Sequence, residues 1–217
     1  MRDKARPAGM PPSRKVFDRS TLEEALRELG RRTHAAGRLV EIAIYGGSAI
    51  LLTLDSRPAT RDVDAIFEKD KDFVRRVAAE MAEDFGWDPD WLNDGVKGWL
   101  SHAERDPAAK RLIGTYPSEE QTGLRVFVPK PEYLFAMKCL AMRVGGVEGS
   151  EDVEDIIRLA KAIGVKSAHD ALQLVEAFYP RSRIEPKTQF GLEEIFARLR
   201  PRYPKRQRQR SKRSKHR

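Results

Sequence analysis

A single cysteine, Cys139, stands in 217 residues, which excludes an internal disulfide and any metal site built on several thiolates. The four histidines, at 34, 102, 169 and 216, are scattered without the spacing of metal ligands. No apolar run approaches the roughly 20 residues that cross a bilayer. The opening stretch holds Pro7, Pro11 and Pro12 and no apolar block of the kind a secretory leader needs. The expected location is therefore the cytoplasm, with no membrane partner. Also missing are the Gly-Lys-Ser/Thr phosphate loop, the Gly-x-Gly-x-x-Gly turn and the Gly-x-Ser-x-Gly elbow. Their absence speaks against the common NTPase, dinucleotide-binding and serine-hydrolase classes.

Forty per cent of the residues are hydrophobic and 34% charged, a balance that suits a folded, water-soluble domain. The net charge of +8 is unevenly spread. Lys205, Arg206, Arg208, Arg210, Lys212, Arg213, Lys215 and Arg217 follow one another with no acid among them. Those eight charges equal the surplus of the whole chain, so residues 1–204 balance to zero. A tail of this composition is expected to be disordered, as either an electrostatic arm for nucleic-acid phosphates or a solubilising end. It contains no aromatic residue, which leaves base stacking by the tail unsupported.

The informative stretch spans residues 42–67. Residues 42–45, Ile-Ala-Ile-Tyr, read as a buried strand closed by Gly46-Gly47. The glycines permit a sharp turn with exposed N–H groups, and Ser48 is placed to cap a helix over 49–54. Such a helix start suits a phosphate. After a turn at Ser56-Arg57-Pro58 come Thr60, Arg61 and a second strand over 62–67 carrying Asp62-Val63-Asp64. Side chains two apart on a strand share a face, which brings the two carboxylates roughly 6–7 Å apart. Carboxylates held so close repel unless a cation lies between them, and Mg²⁺ takes oxygen ligands together with substrate phosphates.

Taken singly, Gly-Gly-Ser is an ordinary tight turn and Asp-x-Asp an ordinary solvated strand edge. Their order is more specific. Gly46-Gly47-Ser48-Ala49 followed by Arg57-x-x-Thr60-Arg61-Asp62-Val63-Asp64 resembles the nucleotidyltransferase superfamily with the DNA polymerase β-like fold, in its minimal, AbiEii-toxin-like form. Over roughly residues 22–165 the resemblance implies an α+β fold, a small mixed sheet flanked by helices with a helical C-terminal part. It implies that Gly46, Gly47, Ser48, Arg57, Thr60 and Arg61 bind a nucleoside triphosphate. Asp62 and Asp64 would hold Mg²⁺ or Mn²⁺. The expected organisation is a disordered segment over 1–18, the nucleotidyltransferase core over 19–130, the helical part over 131–200 and the basic tail over 201–217.

The flanking segments read more plainly. Ser20-Thr21-Leu22-Glu23 has the capping-box pattern, and Leu22, Ala25, Leu26 and Leu29 form a stripe ending at Gly30. Residues 72–85 predict an amphipathic helix with Phe73, Val77, Met81 and Phe85 on one face. Trp87, Trp91 and Trp99 suit either a stacking surface or, more simply, core packing; Asn93 and Asp94 beside them are placed to line a cleft. Residues 123–128 predict a strand carrying Arg125 and no acid, where the superfamily commonly has a third metal-binding carboxylate. A helix over 132–143 follows, bearing Lys138 and Arg143. Acidic residues, including Asp152 and Asp155, then open another helix.

Lys138-x-x-x-x-Arg143 with Asp152-x-x-Asp155 resembles the second block of the AbiEii-like group. That resemblance sets Lys138 against the nucleotide phosphates and makes Asp152 or Asp155 the candidate for the missing acid. Read by themselves, the lysine suits snorkelling to solvent and the acids suit the helix dipole. Two more helices are expected, over 167–178 and 190–199. The resemblance implies transfer of a nucleoside monophosphate from an NTP to an acceptor hydroxyl, on tRNA or a protein, in a toxin–antitoxin setting with an antitoxin partner. The other reading is a degenerate domain that binds RNA or protein. The acid-free strand favours that reading, and the pair Asp62 and Asp64 speaks against it.

Overall fold

The structure, a computed structural model, describes residues 16–54, 57–67, 69–143 and 151–199. The expectations for residues 1–15 and for the tail after residue 199 lie outside the described residues. At the start, Phe17 belongs to the fold and not to a disordered lead. It is buried, exchanges backbone hydrogen bonds with Thr60 at 2.7 and 2.8 Å, and packs its ring on Trp87 and Trp91.

Helix α1 (Arg19–Ala35) is capped by Asp18, whose carboxylate accepts from the Thr21 N–H, so the cap lies two residues before the expected Ser20. Leu22, Ala25, Leu26 and Leu29 are buried as their spacing predicts. The helix does not end at Gly30. There the backbone of Tyr116 lies so close that a methyl group on residue 30 would come within 2.6 Å of it. That glycine marks a close approach between two elements, not a stop.

Strand β1 (Val40–Ile44) feeds α2 (Gly46–Thr53), and β2 (Val63–Ile66) follows. Helix α3 (Lys71–Phe85) is the predicted amphipathic helix, and its buried face is formed by Val74, Val77, Ala78, Met81 and Ala82. Phe85 is consequently exposed and stacks on Trp87. The short β3 (Leu92–Asn93) leads into a 3₁₀ turn over Gly95–Trp99; β4 (Lys110–Tyr116) and β5 (Leu124–Pro129) complete the strands. The helical part comprises α4 (Pro131–Ala141), α5 (Glu151–Ile163), α6 (Ala168–Phe178) and α7 (Pro186–Leu199). Pro186 therefore opens the last helix, where its missing N–H costs nothing, and does not interrupt the chain ahead of residue 190.

The five strands form one mixed sheet in the order β3-β2-β1-β5-β4. The strands predicted over 42–45, 62–67 and 123–128 are neighbours in it: β1 pairs antiparallel with β2 and parallel with β5. β1 and β5 are central and read as nearly continuous apolar runs, as strands covered on both faces do. Helix α1 packs on β4, β5 and α3; α4 is the hub of the helical part, contacting α5, α6 and α7. The fold is α+β, a small mixed sheet flanked by helices with a helical C-terminal part.

Candidate functional site

A cleft of about 760 Å³ opens between the start of β2, the start of α2, the Gly95–Trp99 turn and helices α4 and α5. Its volume falls in the range of small-molecule sites. Among the sequence-predicted residues, Gly46, Gly47, Arg57, Thr60, Arg61, Asp62, Asp64, Lys138 and Asp152 line it. Ser48 and Asp155 do not.

The two glycines are required by contact. Gly46 has a φ of +61°, a left-handed conformation that favours glycine. A methyl group there would also lie 2.6 Å from Oδ2 of Asp64. On Gly47, a methyl group would lie 2.7 Å from the guanidinium carbon of Arg57. The chain therefore enters α2 directly at Gly46, with Tyr45 at the cap position. This displaces Ser48 from its expected capping and phosphate-binding role. It lies buried inside the helix, and its hydroxyl donates to the Tyr45 carbonyl at 2.9 Å.

Asp64 is the second residue of β2 and Asp62 immediately precedes that strand; both line the cleft. Thr60 supports the approach, its hydroxyl donating to the Asp62 carbonyl at 3.1 Å. Neither the Asp62 nor the Asp64 carboxylate accepts a hydrogen bond or joins an ion pair among the described residues. Burial and then the negative charge of Asp62 push the Asp64 carboxyl above its ordinary value, and Lys138 offsets this in part. Such a pair is under-compensated and offers hard oxygen donors, which fits a divalent cation of the Mg²⁺ kind.

The register also shows which β5 residues share the face of Asp64. Ala43 faces Ile66 on β2 and Phe127 on β5, so Arg125 and Phe127 share the sheet face of Asp64. Neither is acidic, and Arg125 is engaged with Glu41 at 3.3 Å. Among the described residues no group of three His, Cys, Asp or Glu side chains is arranged to hold a metal by itself.

Asp155 has a different place from the one expected of a third acid. It is completely buried and enclosed by cations: Arg57, whose Nη1 donates to both carboxylate oxygens, Lys138 at 2.9 Å and Arg158 at 3.4 Å. Arg57 also donates to the Ala59 carbonyl at 3.0 Å and reaches Glu151 at 3.3 Å. Asp155 thus ties the loop before β2 to α4 and α5, and its carboxylate is committed to that task. Lys138 bridges from Asp155 to Asp152, 3.3 Å away, and Asp152 lies on the cleft wall. Arg61 is exposed at the mouth, 3.9 Å from Glu151.

Of the two polar residues expected beside the tryptophans on a cleft wall, Asn93 lines the cleft and Asp94 does not. Asn93, beside Asp64 in the β2–β3 register, accepts from the Gly95 N–H at 2.9 Å and starts the 3₁₀ turn. Asp94 turns away to Lys71 at 3.3 Å, Arg75 at 3.0 Å and Lys97; the Lys97 hydrogen bond chiefly holds its carboxyl far below the usual range. Trp87 and Trp91 are core residues, Trp91 donating its indole N–H to the Ala78 carbonyl at 3.0 Å. Val96, Leu134 and Met137 also line the cleft. Nothing in the sequence marks them for it, because apolar residues at such spacing read as core.

No family model matches the chain, and no curated protein matches it. Among solved structures, the chain is similar to an antigenic nucleotidyltransferase-like protein from Paracoccidioides brasiliensis. The two are 16% identical with a TM-score of 0.45, over 78% of this chain and 99% of that one.

Proposed function

We propose that this protein transfers a nucleoside monophosphate from an NTP to an acceptor hydroxyl, releasing pyrophosphate. The observation that carries the reading is the Asp62–Asp64 pair, facing a cleft beside a Gly-Gly helix start with no partner for either carboxylate among the described residues. A domain that only bound phosphates would gain nothing from under-compensated acids there. Asp62 and Asp64 would hold the divalent cation, Mg²⁺ or Mn²⁺. When bound, the ion would neutralise triphosphate charge and acidify the attacking hydroxyl.

The chain's own residues do the rest. The first N–H groups of α2, at Gly46 and Gly47, have no partner within the helix and are directed at the β- and γ-phosphates. Lys138, fixed by Asp152 and Asp155, offsets charge that builds on the departing pyrophosphate. Arg61 at the mouth adds positive charge on the same side. In this proposal Asp155 is a positioning residue: it orients Lys138 and Arg57 and touches no substrate.

The AbiEii-like pattern of residues 46–64 carries the finer part of the proposal. That part is a tRNA or protein hydroxyl as acceptor, and a toxin restrained by an antitoxin protein. A degenerate domain binding RNA or protein is the second reading, favoured by the acid-free β5. One experiment separates the two. The full chain is incubated with Mg²⁺, each α-labelled NTP in turn, and total tRNA or cell lysate. Label in RNA or protein, lost in Asp62→Asn and Asp64→Asn and reduced in Lys138→Ala, is the expected result. No transfer with any nucleotide, with cation binding unchanged in the Asp62 and Asp64 variants, would overturn the reading.

A further inference from the structure

The cleft wall is of two chemical kinds: Asp62, Asp64, Arg57 and Lys138 are charged, whereas Val96, Trp99, Leu134 and Met137 are apolar. Trp99 differs from the other two tryptophans. Trp91 and Trp99 both line the cleft, but Trp99 is 37% exposed where Trp91 is 1% exposed. A partly exposed aromatic side chain in the wall of a cleft that also holds charged groups is a candidate ligand contact.

The backbone beneath the indole is held at three consecutive carbonyls. Arg183 donates to Gly98 at 2.7 Å and to Leu100 at 2.9 Å, and the Tyr179 hydroxyl donates to Trp99 at 2.5 Å. The Arg183 guanidinium lies over the Tyr179 ring, 5.2 Å from its centroid. Next along, the Ser101 N–H donates to the Tyr133 hydroxyl at 2.9 Å. An indole on so constrained a backbone loses little freedom when a planar group stacks on it.

Distance along the turn fits as well. A methyl group on Gly95 would lie 3.8 Å from Oδ1 of Asp64. Trp99 ends the same 3₁₀ turn four residues on, and at about 2 Å of rise per residue its backbone lies within about 8 Å of that of Gly95.

We propose that Trp99 is the platform on which the base of the bound nucleotide stacks, with the triphosphate running from it toward Asp62, Asp64 and Lys138. This inference rests on the nucleotidyl-transfer reading. The occupant it names is a nucleoside triphosphate, recognised at one end by charge and at the other by a flat π surface. Stacking alone is tolerant of base identity, so Trp99 contributes affinity for any base and discriminates against ligands that have none.

The test uses the full chain with Mg²⁺, tryptophan fluorescence, and calorimetric titration with ATP, UTP and inorganic tripolyphosphate. Both nucleotides are expected to quench emission, and tripolyphosphate to bind without quenching. Trp99→Ala is expected to weaken nucleotide binding at least about 5-fold and to leave tripolyphosphate binding unchanged. Trp99→Phe should restore most of the affinity while abolishing the quench, which separates loss of the ring from loss of the fold. Equal weakening of nucleotide and tripolyphosphate would overturn the proposal, since Trp99 would then act through the fold. Unchanged nucleotide affinity in Trp99→Ala, with binding still lost in Asp62→Asn, would overturn the platform and leave the cleft reading standing. Binding of neither probe would overturn both.

Discussion

At the scale of single residues, Asp64 is the most informative side chain in the molecule. Its folded value is raised above the ordinary 3.8 by burial and by Asp62. Below 3.8 the group is protonated in the folded and the unfolded chain alike. Between that ordinary value and the raised one the folded chain keeps a proton that the unfolded chain has lost, so stability falls as pH rises through that window, then levels off. In metal-free buffer at neutral pH, Asp64→Asn is therefore expected to melt at a higher temperature than the natural protein. Adding Mg²⁺ at about 100 times its dissociation constant should stabilise the natural protein by about 2.7 kcal/mol and the variant by almost nothing. Thermal melts with and without Mg²⁺ across pH check both statements. An Asp64→Asn variant that melts lower without metal would show the carboxylate to be structurally compensated after all.

At the scale of elements, the joint between the sheet and the helical part is a buried ion pair. Arg57 and Asp155 are among the few charged residues the fold encloses, and charges removed from water need partners. Asp155→Ala would leave the Arg57 guanidinium buried without its main acceptor, a loss of about 3–5 kcal/mol. By contrast, Glu154→Ala breaks a pair with Arg158 whose acid is 56% exposed, and about 1 kcal/mol or less is expected. A double-mutant cycle with Arg57→Ala and Asp155→Ala, followed by urea unfolding, should show strong coupling, the double variant losing much less than the sum. Glycines within helices make a second comparison. Gly30→Ala gains about 1 kcal/mol of helix propensity. It also meets the Tyr116 backbone at 2.6 Å, and a net loss of about 1–3 kcal/mol is expected because that backbone cannot yield cheaply. Gly191→Ala meets only the end of the Met142 side chain, a flexible group, and should lie within about 1 kcal/mol of neutral. The same urea curves decide both.

At the scale of the whole molecule, charge is divided between a neutral body and a basic end. Removing residues 205–217 takes away eight positive charges and no acid. Binding of the shortened chain to single-stranded nucleic acid should weaken, and its dependence on salt should flatten by about 0.7 for each phosphate the tail no longer neutralises. Affinity measured across salt concentrations checks this; an unchanged slope would leave the tail as a solubilising end. The nucleotide binding proposed for the cleft should be unaffected, since the cleft is lined by none of the deleted residues.

What the sequence determined by itself was local and periodic. The β1–α2–β2 order around Gly46-Gly47 and Asp62-Val63-Asp64, the stripe of α1, and the lack of an acid on β5 were all legible, because backbone turns and face-sharing depend on neighbours a few residues apart. Tertiary structure alone decided which groups are free and which are consumed. Ser48 reads as a capping hydroxyl until the left-handed Gly46 starts the helix earlier and buries it. Asp155 reads as a candidate ligand until Arg57, 98 residues away in the chain, closes on it. Trp87, Trp91 and Trp99 are alike in sequence, and only the fold buries the first two and leaves Trp99, on the turn held by Tyr179 and Arg183, 37% exposed. The physical reason is common to all three. A side chain's local pattern states what it can bond to, whereas solvent access and the identity of the bonding partner are set by chain segments that sequence spacing does not bring together.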